Sequence, residues 1–215
     1  HWWLYEVWGD DFSNDMRNSK YNVVRDAYYD LPTSKYYGKS IIALETKSKL
    51  LEEQSWRWYP WPTKITTPGE HPEALYADPA LKTLKSTAGA TYLDQYMLRL
   101  AETYLLRAEA FLMKGDKEKA ANDINEVRNR AHTSEVVASE VTIDYILDER
   151  ARELVYEEFR RITLGRLGKY VERVRKYNTL NGPRVEDYHE LFPIPYSAIE
   201  ANKDAVLEQN PGYKN

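Results

Sequence analysis

Cysteine is absent from the chain. That one absence excludes disulfides, thiolate zinc sites and cysteine nucleophiles together. No apolar stretch approaches the roughly 18 residues that a membrane-spanning helix needs. Neither sign of charge dominates: 34 acidic and 30 basic residues are interspersed, for a net charge of −4. A nucleic-acid partner is therefore not expected, because it requires a basic face. The four histidines, His1, His71, His132 and His189, are not paired at metal-ligand spacing. There is no Gly-rich phosphate loop and no Gly-x-Ser-x-Gly elbow. Nothing assembles a nucleophile, a base and an oxyanion donor, so neither catalytic residues, metal nor cofactor is expected. The chain opens on His1-Trp2-Trp3 rather than on Met or a signal peptide, and is expected to be a fragment of a longer protein.

What the sequence does hold is aromatic. It has 18 Tyr and 6 Trp, mostly outside the clear helical stretches. Residues 1–92 read as a loop-rich aromatic segment. Their punctuation is dense: Gly9-Asp10-Asp11, Leu31-Pro32, Tyr59-Pro60-Trp61-Pro62 and Thr67-Pro68-Gly69. Tyr21–Tyr29 and Trp56–Ile65 read as short extended segments, and Ile41–Glu53 is ambiguous between strand and helix. So many aromatic residues argue against disorder.

Residues 93–215 read as helical. Leu93, Met97, Leu100, Ala101, Tyr104, Leu105, Ala108, Phe111 and Leu112 fall in steps of three and four. Gly115 ends that helix and Asp116 caps the next, where Ala120, Ala121, Ile124, Val127 and Ala131 continue the period. Tyr104, Ala108, Phe111, Gly115-Asp116 and Ala120 stand in register with the 34-residue tetratricopeptide repeat, with His132 in place of its final Pro. One such hairpin, 94–131, cannot bury both faces, so neighbours are expected. Residues 142–178 supply one, with Thr142 as cap and with Gly165 and Gly168 inside the second stripe, where a bend is expected. Leu191-Phe192-Pro193-Ile194-Pro195 is extended, and Gln209–Tyr213 is a turn. The expected fold is mainly all-α: tetratricopeptide-like hairpins with long irregular loops and minor β, in one compact domain.

Several strings, standing in order, resemble the SusD/RagB family of outer-membrane nutrient-binding lipoproteins. They are Tyr104-Leu-Leu-Arg-Ala-Glu-Ala-Phe111 with Gly115-Asp116, then Asp123-Ile124-Asn125 through Arg128, then Ile146 through Leu154, and Glu157 through Arg161. Leu191–Pro195 and Gln209–Tyr213 close the set; Trp8–Asp11, Asn14-Asp15, Arg17-Asn18-Ser19 and Pro68–Pro72 extend it to a subgroup. Arg161 stands where the family has an aromatic, and the family's lipid-attachment Cys and N-terminal half are not in this chain. The resemblance implies a SusD-like αα-superhelix that is lipid-anchored at the cell surface through an N-terminal anchor outside this chain. It implies capture of oligosaccharide, or sometimes peptide, for a SusC-like TonB-dependent transporter.

Chemistry points to aromatics for the ligand. A flat ring covers the apolar face of a sugar, at roughly 1 kcal/mol per stacked ring by analogy with aromatic pairs. The candidates are Trp2, Trp3, Trp8, Trp56, Trp58, Tyr59 and Trp61, with Asp10, Asp11, Arg17 and Asn18 as polar partners. Asp10, Asp11, Asn14 and Asp15 read as turn caps in preference to a calcium site. Glu149, Glu153 and Glu157 recur every four residues beside Arg150, Arg152, Arg160 and Arg161, and read as structural ion pairs on a solvated face. The leading expectation is a non-catalytic nutrient-binding protein, followed by a tetratricopeptide adaptor without glycan binding, then a glycoside hydrolase using those carboxylates.

Overall fold

A computed structural model describes residues 2–29, 31–40, 60–64, 71–89, 94 and 96–214. The expected ambiguous segment Ile41–Glu53, and Trp56, Trp58 and Tyr59, lie outside these residues. The chain divides into two units, Trp3–Glu157 and His1–Trp2 with Glu158–Asn215. Composition places a boundary near residue 92, and one compact domain is the sequence expectation. The division falls elsewhere because the aromatic loops around residues 3–24 bond into the helical hairpin, while the chain beyond 157 packs on itself.

The first unit opens with α1 (Trp2–Tyr5), shared with the division point, and a 3-10 stretch at Glu6–Asp11. β1 (Val23–Val24) pairs antiparallel with β2 (Trp61–Pro62), and β3 (Tyr76–Asp78) with β4 (Thr83–Leu84). Both extended segments expected from sequence thus contribute a strand, though a very short one. The hairpin follows as α2 (Leu100–Met113) and α3 (Lys117–Arg130). The apolar period suggests an earlier start, but α2 begins only at Leu100, and Met97 is 94% exposed. No described residue packs over Met97 to reward helix there.

The turn works through its chemistry. Gly115 takes φ +81, its N–H donates to Leu112 O, and Asp116 N–H donates to Phe111 O. These two bonds satisfy the last carbonyls of α2 in the Schellman pattern. Asp116 then accepts from Lys119 N–H at 3.1 Å and caps α3. Small residues bring the helices together: Ala108, Ala120 and Ala121 are buried with Leu105, Ile124 and Val127 in one core. That core continues through Val136 and Val141 into α4 (Ile143–Glu153), where Ile146 is fully buried. Thr142 caps α4 by accepting from Tyr145 N–H, as its position predicts. Asn125 clamps the segment that follows the hairpin, donating to Val136 O and accepting from Val136 N–H.

The second unit departs from a simple second hairpin. After α4, Tyr156 adopts φ +64, and the chain forms α5 (Arg160–Arg166) and α6 (Tyr170–Tyr177). The break comes at Gly168, with φ +62, so the expected bend is a full interruption. A last short helix, α7 (Tyr196–Ala201), follows the extended Leu191–Pro195. The two terminal strings bond to each other. Gln209 accepts from Ile194 N–H and donates to Ile194 O, Asn210 donates to Phe192 O, and Tyr213 O–H donates to Leu191 O. Gln209 thus acts as a strand partner for a segment whose prolines disfavour a regular ladder. Arg161 lies 3.5 Å from the Tyr170 ring centroid and 4.3 Å from that of Phe192. Its guanidinium thus lies against two rings.

Candidate functional site

The carboxylate ladder of α4 is the centre of the first unit. Glu149 and Glu153 are 0% and 1% exposed, so the expected solvated face is buried instead. Ionised carboxylates are tolerated there only with full pairing. Glu149 accepts from Arg17 at 2.7 Å, Arg128 at 2.9 Å and Arg152 at 2.7 Å. Glu153 accepts from Arg17 at 3.0 Å, Arg99 at 2.9 Å and Arg130 at 2.7 Å. Glu157 holds Arg99 and Lys64. Burial alone would raise the Glu149 pKa. The attraction of Arg17, Arg152 and Arg128, with the Arg17 hydrogen bond, overrides this and holds it at about 2. Burial likewise opposes the charge on Arg17, yet its bonds to Asp15 and Glu149 raise its pKa above the ordinary value.

This cluster forms one wall of a cavity of about 380 Å³. Trp3 and Tyr96 add aromatic surface, Pro62 and Val155 add apolar surface, and Arg17, Lys64, Arg99, Arg130 and Arg152 add donors. The Trp3 ring is held in place: its indole N–H donates to Ala151 O at 2.6 Å, and Trp8 packs edge-on at 5.5 Å. Tyr96 is 66% exposed.

The sequence candidates divide. Trp3 and Arg17 line the cavity. Trp8 is 2% exposed and donates to Trp3 O, so its ring is core and offers no face to a ligand. Trp2 belongs to the other unit, where it stacks on Tyr177 at 4.2 Å. Asp11 is engaged by Arg128 at 2.6 Å and by Ser134, and its pKa is lowered to about 2: burial pushes it up, and bonds from Thr133, Arg128 and Ser134 pull it down further. Asn18 is buried, donating to Phe12 O and accepting from Arg25. Asp10 is exposed, and Trp61 contributes its backbone to β2. Asp15, from the group weighed against calcium, is buried on Arg17, and no cluster of His, Asp or Glu suited to a metal occurs among the described residues.

Sequence reasoning did not select Lys64, Tyr96, Arg99 or Arg130 as site residues. Lys64 and Arg99 come from loops that carry no motif. Arg130 gives one weak signal as a cation in the last turn of α3, where the helix dipole favours it.

The chain is 40% identical over 138 residues to the starch-binding protein SusD of Bacteroides thetaiotaomicron, a match covering 60% of this chain and 24% of that protein. A solved structure, BT4246, superposes with a TM-score of 0.46 at 25% identity, covering 61% of this chain and 26% of that one. The chain thus spans about a quarter of the length of these relatives. The SusD family model matches residues 6–213, and the chain belongs to the SusD family.

Proposed function

We propose that this chain is part of a non-catalytic, surface-exposed, lipid-anchored protein that binds oligosaccharide and delivers it to a SusC-like TonB-dependent outer-membrane transporter. The observation that carries the reading is the cavity that sets Trp3 and Tyr96 beside a wall of guanidinium donors. Aromatic faces suit the C–H side of a sugar, and charged donors suit its hydroxyls. The starch-binding relative supports the same ligand class. Trp3 and Arg17 are the proposed contacts from the sequence set, joined by Tyr96 and Arg130. The hydrolase reading is weakened by the state of its carboxylates: Glu149, Glu153 and Glu157 all bind arginine, and Glu149 has no exposed surface. A general acid needs a raised pKa, the reverse of the Glu149 value. Incubation with a panel of malto- and other oligosaccharides, followed by calorimetry and product chromatography, tests this. Saturable binding without cleavage is expected. Cleavage products would support the hydrolase, and binding only to a transporter would support the adaptor.

A further inference from the structure

The cavity wall is unbalanced in charge. Among the described residues, five cationic side chains line it, Arg17, Lys64, Arg99, Arg130 and Arg152, against two carboxylates, Glu153 and Glu157. Asp15 and Glu149 compensate from behind, being 2% and 0% exposed, and do not line the cavity. Three guanidinium groups converge on the Glu153 carboxylate alone. Two of them have further anionic partners: Arg17 has Asp15 and Glu149, and Arg99 has Glu157. Arg130 has none among the described residues. Its Nη2 donates to Glu153, its side chain is 59% exposed, and its Nε and Nη1 have no partner among the described residues.

A guanidinium edge with free donors, next to a partly desolvated cluster of like charge, is suited to an anion with paired oxygens. The nearby Trp3 and Tyr96 rings favour a sugar over a peptide as its carrier. We propose that this cavity takes an acidic oligosaccharide, with a sugar carboxylate or sulfate ester seated on the free donors of Arg130 and screened by Lys64. This rests on the oligosaccharide-binding reading and narrows its ligand class. A neutral sugar would leave the excess positive charge of the wall uncompensated, whereas one anionic group offsets it.

The test is calorimetry of the chain with trigalacturonate, a sulfated galactose trisaccharide, maltotriose and triglutamate, at low and high salt. One or both acidic sugars are expected to bind about tenfold more tightly than maltotriose, the size of one charge-assisted hydrogen bond. Trigalacturonate and the sulfated sugar tell carboxylate from sulfate. The preference should shrink at high salt, as an exposed charge contact does. Arg130→Gln, at the exposed end of α3, should reduce the acidic sugars to the affinity of maltotriose, with the helical circular dichroism retained; Lys64→Gln should reduce them in the same direction. Equal affinity for neutral and acidic sugars, unaffected by Arg130→Gln, overturns the inference and leaves the oligosaccharide reading standing. Triglutamate binding as tightly as the acidic sugars overturns the sugar class. No binding of any sugar overturns both readings.

Discussion

Replacing Glu149 with alanine is expected to destabilise the Trp3–Glu157 unit by about 3–5 kcal/mol, the cost of leaving buried partners without their counter-charge. Arg17, Arg128 and Arg152 all point at this one carboxylate. Without it, Arg128 keeps Asp11 and Arg17 keeps Asp15. Among the described residues, Arg152 keeps no carboxylate, only Val7 O and the face of the Tyr145 ring. Glu149→Gln preserves volume and one acceptor, so its loss isolates the charge. The same group makes the unit acid-sensitive. Its folded pKa of about 2 lies below the ordinary carboxylate value of 4.5, so its contribution is complete above about pH 4.5 and is lost as pH falls through about 2. Urea unfolding of the variants, and of the wild type across that pH range, checks both. Variants within 1 kcal/mol of wild type would mean that the cluster is a surface arrangement of little worth.

Gly212→Ala is expected to cost about 2–4 kcal/mol in the unit formed by Glu158–Asn215. Gly212 adopts φ +88, which costs a side-chain-bearing residue roughly 1 kcal/mol. A Cβ there would stand 2.3 Å from Tyr188 Cγ and 2.5 Å from Tyr188 Cβ. These atoms are not the far end of a flexible chain, so backbone must move, and overpacking of this kind costs about 1–3 kcal/mol. The Tyr188 ring is also held by His189 at 4.1 Å and Tyr213 at 4.9 Å. Near-ultraviolet circular dichroism and proteolysis between residues 186 and 214 report the change. A variant with wild-type signals would show that Tyr188 has room to retreat.

Local chemistry made the hairpin readable. The three-and-four spacing from Leu100, the Gly115-Asp116 turn and the Thr142 cap each need only neighbours along the chain. Gly165 and Gly168 show the limit. They look alike in sequence, yet Gly165 sits inside α5 and only Gly168 takes positive φ and ends the helix. The site was less readable because its bonds are long-range. Arg17 meets Glu149 across 132 residues, and Arg99 meets Glu157 across 58. A ladder of glutamates spaced by four reads the same whether it faces water or three buried arginines. Trp8 illustrates the converse: a loop tryptophan beside aspartates looks like a ligand platform, but its contacts with Trp3 put it in the core.

The most direct test of the account is the indole N–H spectrum of the 15N-labelled chain, titrated with the oligosaccharide that calorimetry selects. The Trp3 resonance should move with saturation, because its ring lines the cavity while its N–H is fixed on Ala151 O. The Trp2 resonance, from the unit where that ring stacks on Tyr177, should stay in place. Movement of Trp2 with Trp3 unmoved would place the ligand elsewhere and contradict the assignment of the cavity.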